Sequence, residues 1–506
     1  MELDRDLLSM QEARNLVCAA QKAQEIIKNF SKEQIDRVID FMRQAGETNA
    51  AKLAMMAVSE TGMGNYEDKC LKNYFASHHV YEFIKDMKTI GVINEDKKQH
   101  MVEIAEPVGI IVGIVPTTNP TSTVIYKSMI ALKARNAIVF SPHPSAIKCT
   151  HEAAKLMNQA AVAAGAPEGV IGCMSTVSMQ ATNELMKHPD TKLILATGGS
   201  GLVKTAYSSG KPALGVGPGN VPAFVERSAR LDRAAEQIII GKTFDNGTIC
   251  ASEQAIVAEE CIADELIELL KRNGAYFLEA EEVQKVAKAV ILPTGGMSPQ
   301  YVGKDAKFIA SQLGITVPAD TRCLVAPLQG VGPQYPLSHE KLTTVLGFYR
   351  VRDWQEGCDR CIELLESGGI GHSLVIHSEN KEIIREFAMR KPVFRILVNT
   401  PSSLGGVGAT TGLAPSFTLG CGTWGGSSVS ENVTPLHLIN VKRVAWPVRE
   451  PAELTIPNYI EPAGIAAMAQ NPVSRQSEMS ASPALSPDMI RDIVEQVVRR
   501  VHSCKN

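Results

Sequence analysis

The chain has 506 residues, 44% hydrophobic and 21% charged, which gives room for two or three domains with sizeable cores. A formal net charge of −3 and 11 scattered cysteines argue against a nucleic-acid or anionic-membrane binder and against a disulfide scaffold, so a reducing cytosol is expected. Apolar runs such as residues 110–115 fall far short of a membrane span, and the acidic opening Met1-Glu-Leu-Asp-Arg-Asp6 is unlike a signal peptide.

The first ninety residues read as helical. Residues 11–28 and 31–46 carry apolar side chains at three- and four-residue spacing, and Ser31 with Gln34 has the form of a capping box. The texture changes at 109–115, a continuous β-branched run ended by Pro116, as in a strand buried on both faces. A helix (122–134), a strand (137–141), a helix (145–164) and further alternation through 169–174, 180–187 and 192–197 predict a parallel α/β sheet wrapped on both faces. Such sheets bind ligands at the carboxyl ends of their strands.

A second α/β pattern begins after about Glu226, with a helix over 231–244, a strand over 255–258 and a helix over 263–273. Residues 323–326, 346–351, 373–377 and 395–399 read as strands. Segments 99–105 and 436–446 alternate apolar and polar residues, as extended arms do; arms need a partner edge, which favours an oligomer. Cys358 and Cys361 form a C-x-x-C, but 353–366 has the pattern of an amphipathic helix and no second pair supports zinc.

From Pro447 to Ser486 the composition turns to Pro, Ala, Ser and Gln with little periodicity, the mark of a flexible linker. Residues 486–502 then form an amphipathic pattern, with Ser486 as cap, Pro487 at the first position and Met489, Ile490, Ile493, Val494, Val497 and Val498 on one face. A short helix of this kind is expected to dock elsewhere.

Chemistry concentrates in a few loops. Phe244-Asp-Asn-Gly-Thr-Ile-Cys250 places a thiol after a glycine turn, which suits a covalent nucleophile. Thiol attack on a carbonyl develops an oxyanion that needs donors, and Asn119 in Pro116-Thr-Thr-Asn-Pro-Thr-Ser122 offers one. Ala196-Thr-Gly-Gly-Ser-Gly201 follows a strand and opens a helix, so its glycines suit close approach of a cofactor, and Gly215-Val-Gly-Pro-Gly-Asn220 is another glycine-dense loop.

In this order Pro116-Thr-Thr-Asn-Pro, Thr197-Gly-Gly-Ser-Gly, Gly215-Val-Gly-Pro-Gly-Asn, Asn246-Gly-Thr-Ile-Cys and His339-Glu-Lys-Leu resemble the aldehyde dehydrogenase superfamily. The resemblance runs from about residue 10 to 446. It is nearest the CoA-acylating branch, which includes propionaldehyde and acetaldehyde dehydrogenases and the N-terminal half of bifunctional aldehyde–alcohol dehydrogenases. It implies an α/β, aldehyde-dehydrogenase-like fold with a Rossmann-type cofactor domain over 1–226, including an arm near 95–106. A catalytic domain over 227–425, a return segment and arm over 426–446, a linker over 447–485 and a terminal helix complete the implied order.

The family's nucleophile falls on Cys250 and its oxyanion asparagine on Asn119, with the Cys250 backbone N–H as second donor. Cofactor contacts fall on Thr117, Thr197, Gly198, Gly199, Ser200, Gly215, Val216 and Gly217. Glu340 falls where a glutamate holds the nicotinamide ribose, and Ser141-Pro-His143-Pro144 where a loop meets the adenosine ribose. No arginine stands there for a 2′-phosphate, so NAD is expected, with NADP not excluded. Hydrolytic members carry a water-activating glutamate at the position of Val216, and valine takes no proton from water. The resemblance therefore implies a thioester on Cys250 that awaits coenzyme A, from a short-chain aldehyde. His372 matches a histidine of this branch without an assigned role. The tail resembles the encapsulation peptides of bacterial microcompartments, so a shell or core protein is an expected partner, beside a homo-oligomer (dimer or tetramer). Hydrolysis to a free acid, chemistry on an acyl phosphate and a catalytically silent scaffold are the rival readings.

Overall fold

The computed structural model describes residues 4–454. The chain divides into two compact units, Met1–Trp446 and Pro447–Asn506. Of the second, residues 447–454 are described and hold a single short turn over Pro451–Glu453; the expected terminal helix over 486–502 lies outside the described residues.

Four helices open the chain: α1 (Arg5–Ile27), α2 (Lys32–Thr48), α3 (Ala50–Thr61) and α4 (Tyr66–Tyr74). Ser31 and Gln34 make the expected capping box, and α2 buries Ile35, Val38, Ile39 and Met42. Helix α4 passes through one π-turn (Phe75–His79) into α5 (Val80–Ile84). An antiparallel hairpin follows, β1 (Gly91–Asp96) and β2 (Met101–Pro107).

The first parallel sheet takes in β3 (Ile110–Ile114), α6 (Pro120–Lys133), β4 (Ile138–Ser141), α7 (Ile147–Ala163), β5 (Ile171–Cys173), α8 (Met179–Lys187), β6 (Thr191–Ala196), α9 (Ser200–Tyr207) and β7 (Ala213–Gly215). Its order is β5-β4-β3-β6-β7. Strand β3 is buried along its whole length, as its β-branched run requires. The chain lays β4 and β5 on one side of β3 and then returns to place β6 on the other, which opens a crevice at their carboxyl ends. Lys127, buried on α6, donates to the carbonyls of Ile114 and Leu195 at 2.8 Å each and so ties β3 to β6 beside that crevice.

The second parallel sheet is built from β8 (Val221–Val225), α10 (Leu231–Thr243), β9 (Glu253–Glu259), α11 (Glu260–Arg272), β10 (Ala275–Phe277), α12 (Ala280–Val290), α13 (Ala306–Gln312), β11 (Cys323–Pro327), β12 (Val345–Val351), α14 (Trp354–Glu366), β13 (Gly371–His377), α15 (Lys381–Met389) and β14 (Val393–Val398). Its order is β10-β11-β12-β9-β8-β13-β14. Strand β8 pairs with β9 and β13, so the crossing between the two sheets precedes residue 221. Pro222 hid this strand. It is tolerated where the register with β9 shifts, between Val221 and Pro222. Cys358 and Cys361 both lie buried in α14.

The expected arms pair within the chain. Strand β2 is flanked by β1 and by β15 (Ile439–Ala445), both antiparallel. The backbone demand that alternation alone assigned to a partner is met there by the chain's own return segment. Among the described residues no helix is long and apolar enough to cross a membrane.

Candidate active site

A cavity of about 540 Å³ sits where the carboxyl ends of β3 and β6 face the amino ends of β8 and β9. Val115 to Asn119 enter it from β3, Thr197 to Gly199 from β6, Val216 to Pro218 from the crossing between the sheets, and Thr248 to Cys250 from the approach to β9.

The cysteine turn is strained and tightly held. After α10 a 3₁₀ turn (Phe244–Gly247) carries three successive residues in the left-handed region, Asp245 (φ 45°), Asn246 (φ 53°) and Gly247 (φ 73°). Glycine adopts this freely; the other two cost energy that neighbours must offset. Asp245 Oδ1 accepts from the Asn65 N–H at 2.9 Å, the Asp245 N–H donates to Asp68 at 2.7 Å, and Asn246 donates to the Gly303 carbonyl at 3.0 Å. The buried Asp245 carboxylate also accepts from Lys69 at 2.8 Å and from Lys72, whose positive charges hold it below the usual carboxylate range against its burial.

Cys250 is followed by a turn, in which the Ser252 N–H donates to the Ile249 carbonyl, and then by β9. No helix N-terminus follows Cys250 to lower the thiol's pKa. Burial pushes the Cys250 thiol up to about 12, the charge of Glu340 adds to that rise, and Arg395 opposes it. Glu340 is itself raised by burial to about 7, while the Gly219 N–H donates to its Oε1 at 2.8 Å.

Asn119 is the N-cap residue of α6, with Pro120 behind it, but its side chain makes no capping bond. Its Oδ1 instead accepts from Lys72 Nζ at 2.5 Å, and its Nδ2 lies 3.1 Å from Thr118 Oγ1 and 3.4 Å from the Thr248 carbonyl. The amide thus rests against the cysteine turn. His372 is fully buried; its Nδ1 pairs with Ser373 Oγ at 3.0 Å, its Nε2 has no partner, and burial holds it neutral.

Of the residues singled out in the sequence, Thr117, Asn119, His143, Thr197, Gly198, Gly199, Val216, Gly217, Cys250 and Glu340 line this one cavity. Ser141 does not: its hydroxyl is buried against Thr182 Oγ1 at 2.9 Å. Pro144 is exposed outside the lining, and Gly215 is packed under Tyr207, whose hydroxyl accepts its N–H at 2.8 Å. The side chain of Ser200 is outside the described ones.

The model of the Aldehyde dehydrogenase family matches residues 6–277, more than half of the chain. The chain belongs to the aldehyde dehydrogenase family. It is 46% identical over 439 residues to the bifunctional aldehyde-alcohol dehydrogenase of Escherichia coli K12, covering 86% of this chain and 49% of that protein. The chain thus spans about half the length of the first curated relatives it matches. An acetylating aldehyde dehydrogenase from Geobacillus thermoglucosidasius is similar in structure, with TM-score 0.87, 52% identity and coverage of 89% of this chain and 99% of that one. A propionaldehyde dehydrogenase from Rhodopseudomonas palustris, solved with bound CoA and an acylated cysteine, is similar at TM-score 0.78 and 31% identity, covering 86% and 97%.

Within the family frame, several lining residues had no sequence signal. Met63 comes from the turn before α4, and Phe417 and Leu419 from far along the chain. Lys69 and Lys72 were equally silent, although two lysines three apart on a helix face that is otherwise buried are a recognisable mark.

Proposed function

We propose that this chain is a CoA-acylating aldehyde dehydrogenase that oxidises a short-chain aldehyde with NAD and coenzyme A through a thioester on Cys250. One observation carries the reading: Cys250 and the Asn119 amide meet in a cavity where position 216 is a valine. Glu340 is the one carboxylate among the described lining residues, and it is already engaged by the Gly219 N–H.

The lining fits a dinucleotide. Gly198 and Gly199 leave bare backbone at the start of α9, and the space that a Cβ on Gly199 would enter is empty to 4 Å. Thr117, Thr197 and His143 stand along the same wall. When bound, NAD supplies a nicotinamide that accepts hydride from the substrate carbon. The absence of an arginine in the loop over 141–144 favours NAD.

The chain's own residues perform the remaining work. The Cys250 thiolate adds to the aldehyde carbon, forming a C–S bond while the carbonyl π pair moves onto oxygen. Asn119 Nδ2 and the Cys250 N–H donate to that oxyanion. Loss of hydride re-forms the C=O and leaves an acyl thioester on Cys250. Val216 and the apolar wall of Ile249, Val407 and Phe417 offer no base to water, so the thioester waits for the thiolate of coenzyme A, which takes the acyl group and returns Cys250 as thiolate. Residues 1–220 would serve the cofactor, 221–425 the chemistry, and the outer edges of β1 and β15 a homo-oligomer. The tail over 486–502 would address the enzyme to a microcompartment shell or core protein, by its sequence pattern alone.

The test is product analysis with and without coenzyme A, joined to intact-mass measurement of enzyme trapped during turnover. Acyl-CoA formation and a one-acyl mass increase at Cys250 are expected. Free acid produced at the same rate without coenzyme A, or phosphate-dependent turnover, would replace this reading. An inactive wild type would favour the scaffold.

A further inference from the structure

Behind Asn119 lies a buried ionic cluster that the proposed reaction does not name. Lys72 Nζ donates to Asn119 Oδ1 at 2.5 Å, to Thr248 Oγ1 at 2.9 Å and to the carboxylate of Asp245. An ammonium has three protons, and all three are placed. Thr248 Oγ1 passes its own proton on to Asp245 Oδ2 at 2.6 Å. Lys69, one turn earlier on α4, reaches the same carboxylate but its other bond goes to the Thr118 carbonyl at 3.0 Å and not to Asn119. Asp68 completes the set by accepting from the Asp245 N–H.

We propose that Lys72 is a positioning residue for the oxyanion donor: it locks the Asn119 amide with Oδ1 toward the ammonium and Nδ2–H toward the substrate oxygen. The proposal rests on the reading of Asn119 and Cys250 given above. An ammonium only donates, so the amide atom facing it must be oxygen, and the flip that is ordinarily free for an asparagine is decided. No capping bond competes for the side chain. The Nδ2 contact to the Thr248 carbonyl is long at 3.4 Å, so that hydrogen is free to shorten onto a stronger acceptor. The positive charge on Oδ1 also polarises the amide and strengthens Nδ2–H as a donor. Burial draws Lys72 down to about 8 against the pull of Asp245, which leaves it cationic at neutral pH.

The same lysine closes the link between donor and nucleophile. Through Asp245 and Thr248 it grips the strained turn that ends in Cys250, and through Asn119 it grips the opposing amide. One side chain therefore sets both partners of the oxyanion site.

A double-mutant cycle separates positioning from mere folding. Steady-state kinetics with aldehyde, NAD and coenzyme A would be measured for Lys72→Met, Lys69→Met, Asn119→Ala, Lys72→Met/Asn119→Ala and Lys69→Met/Asn119→Ala, with thermal unfolding of each. Asn119→Ala is expected to lower kcat by about 10²–10³-fold, and Lys72→Met by about 10–100-fold with little change in the aldehyde KM. In the Asn119→Ala background the Lys72 change should cost clearly less than it does alone, the remainder being its grip on the cysteine turn. Lys69→Met should lower Tm as Lys72→Met does but lower kcat by much less, and by the same factor with or without Asn119. Equal kcat losses in the two lysine variants, or a Lys72→Met loss of the same size with and without Asn119, would overturn the proposal. If the methionine variants do not accumulate, Lys72→Gln, which keeps a donor at Asn119 without the charge, takes their place: a kcat loss smaller than that of Asn119→Ala, and shrinking in the Asn119→Ala background, is expected, and a loss of the same size with and without Asn119 overturns the proposal. Full activity in Asn119→Ala would instead remove the parent reading.

Discussion

Gly219 is pressed against the carbonyl oxygen of Cys250: a Cβ at 219 would lie 1.9 Å from that oxygen and 3.2 Å from His372 Cε1. The obstacle is backbone, which cannot swing aside as a side-chain tip would. The crossing between the two sheets and the nucleophile turn are thus held at a spacing only glycine permits. Gly219→Ala is expected to push the two apart, costing about 1–3 kcal/mol of stability as overpacking does. A misplacement of this kind costs about 10²-fold in rate, so kcat for acyl-CoA formation should fall by that order. Far-UV melts and turnover assays check both, and a variant that turns over like wild type would show that the turn moves freely.

Val216 is the residue on which the choice between coenzyme A and water turns. It is buried in the cavity wall, and no other lining carboxylate among the described residues lies free to activate water. Val216→Glu is therefore expected to open a hydrolytic route, with free acid formed in the absence of coenzyme A and acyl-CoA yield falling in its presence. Chromatography of products at fixed aldehyde and NAD reads the partition. Acid formation in the wild type that disappears in Glu340→Gln would assign the water chemistry to Glu340 instead.

How far the sequence carried this site depends on the kind of signal. The runs over 109–115 and 137–141 are apolar and β-branched, and became β3 and β4, because strands buried on both faces leave few other solutions. Cys250 and Asn119 could be read because each sits in a short segment whose chemistry is local. Strand β8 could not, since Pro222 and the glycines before it look like loop until β9 and β13 supply partners on both sides. Ser141 shows the opposite failure. It stands in the right loop, yet the strand's alternation turns its hydroxyl inward to Thr182. Lys72 was silent because its meaning lies in three acceptors drawn from two distant loops.

The strained turn makes a prediction of its own. Gly247 has φ 73°, and a Cβ there would lie 2.8 Å from the Thr343 carbonyl oxygen and 3.1 Å from that of Lys242. Gly247→Ala meets both a backbone conformation that L-residues resist and a steric barrier, so a loss of about 1–3 kcal/mol is expected. Denaturant unfolding measures it. Alkylation of Cys250 should also slow or accelerate relative to wild type, since the turn that aims the thiol is rebuilt; an unchanged rate would mean that the strain is absorbed before residue 248.

Glu340 opposes the ionisation of Cys250, and this sets a pH signature. The thiol is pushed up to about 12 by burial first and by Glu340 second, and Glu340 is raised by burial to about 7. Below pH 6 the carboxyl is mostly protonated and exerts little charge on the sulfur. Above pH 7 it is ionised and disfavours the thiolate, which is the reactive form. Wild-type alkylation of Cys250 by iodoacetamide, without cofactor, should thus rise with pH but less steeply than a lone thiol once Glu340 ionises. Glu340→Gln removes that charge at every pH, so the variant should match wild type near pH 6 and react several-fold faster above pH 7, in line with about 1.4 kcal/mol for each unit of pKa. Peptide mapping is needed to follow Cys250 apart from the exposed Cys18 and Cys261. Identical rate profiles for the two proteins from pH 6 to 9 would mean that Glu340 does not act on the thiol, and the depression of its reactivity would then rest on burial alone.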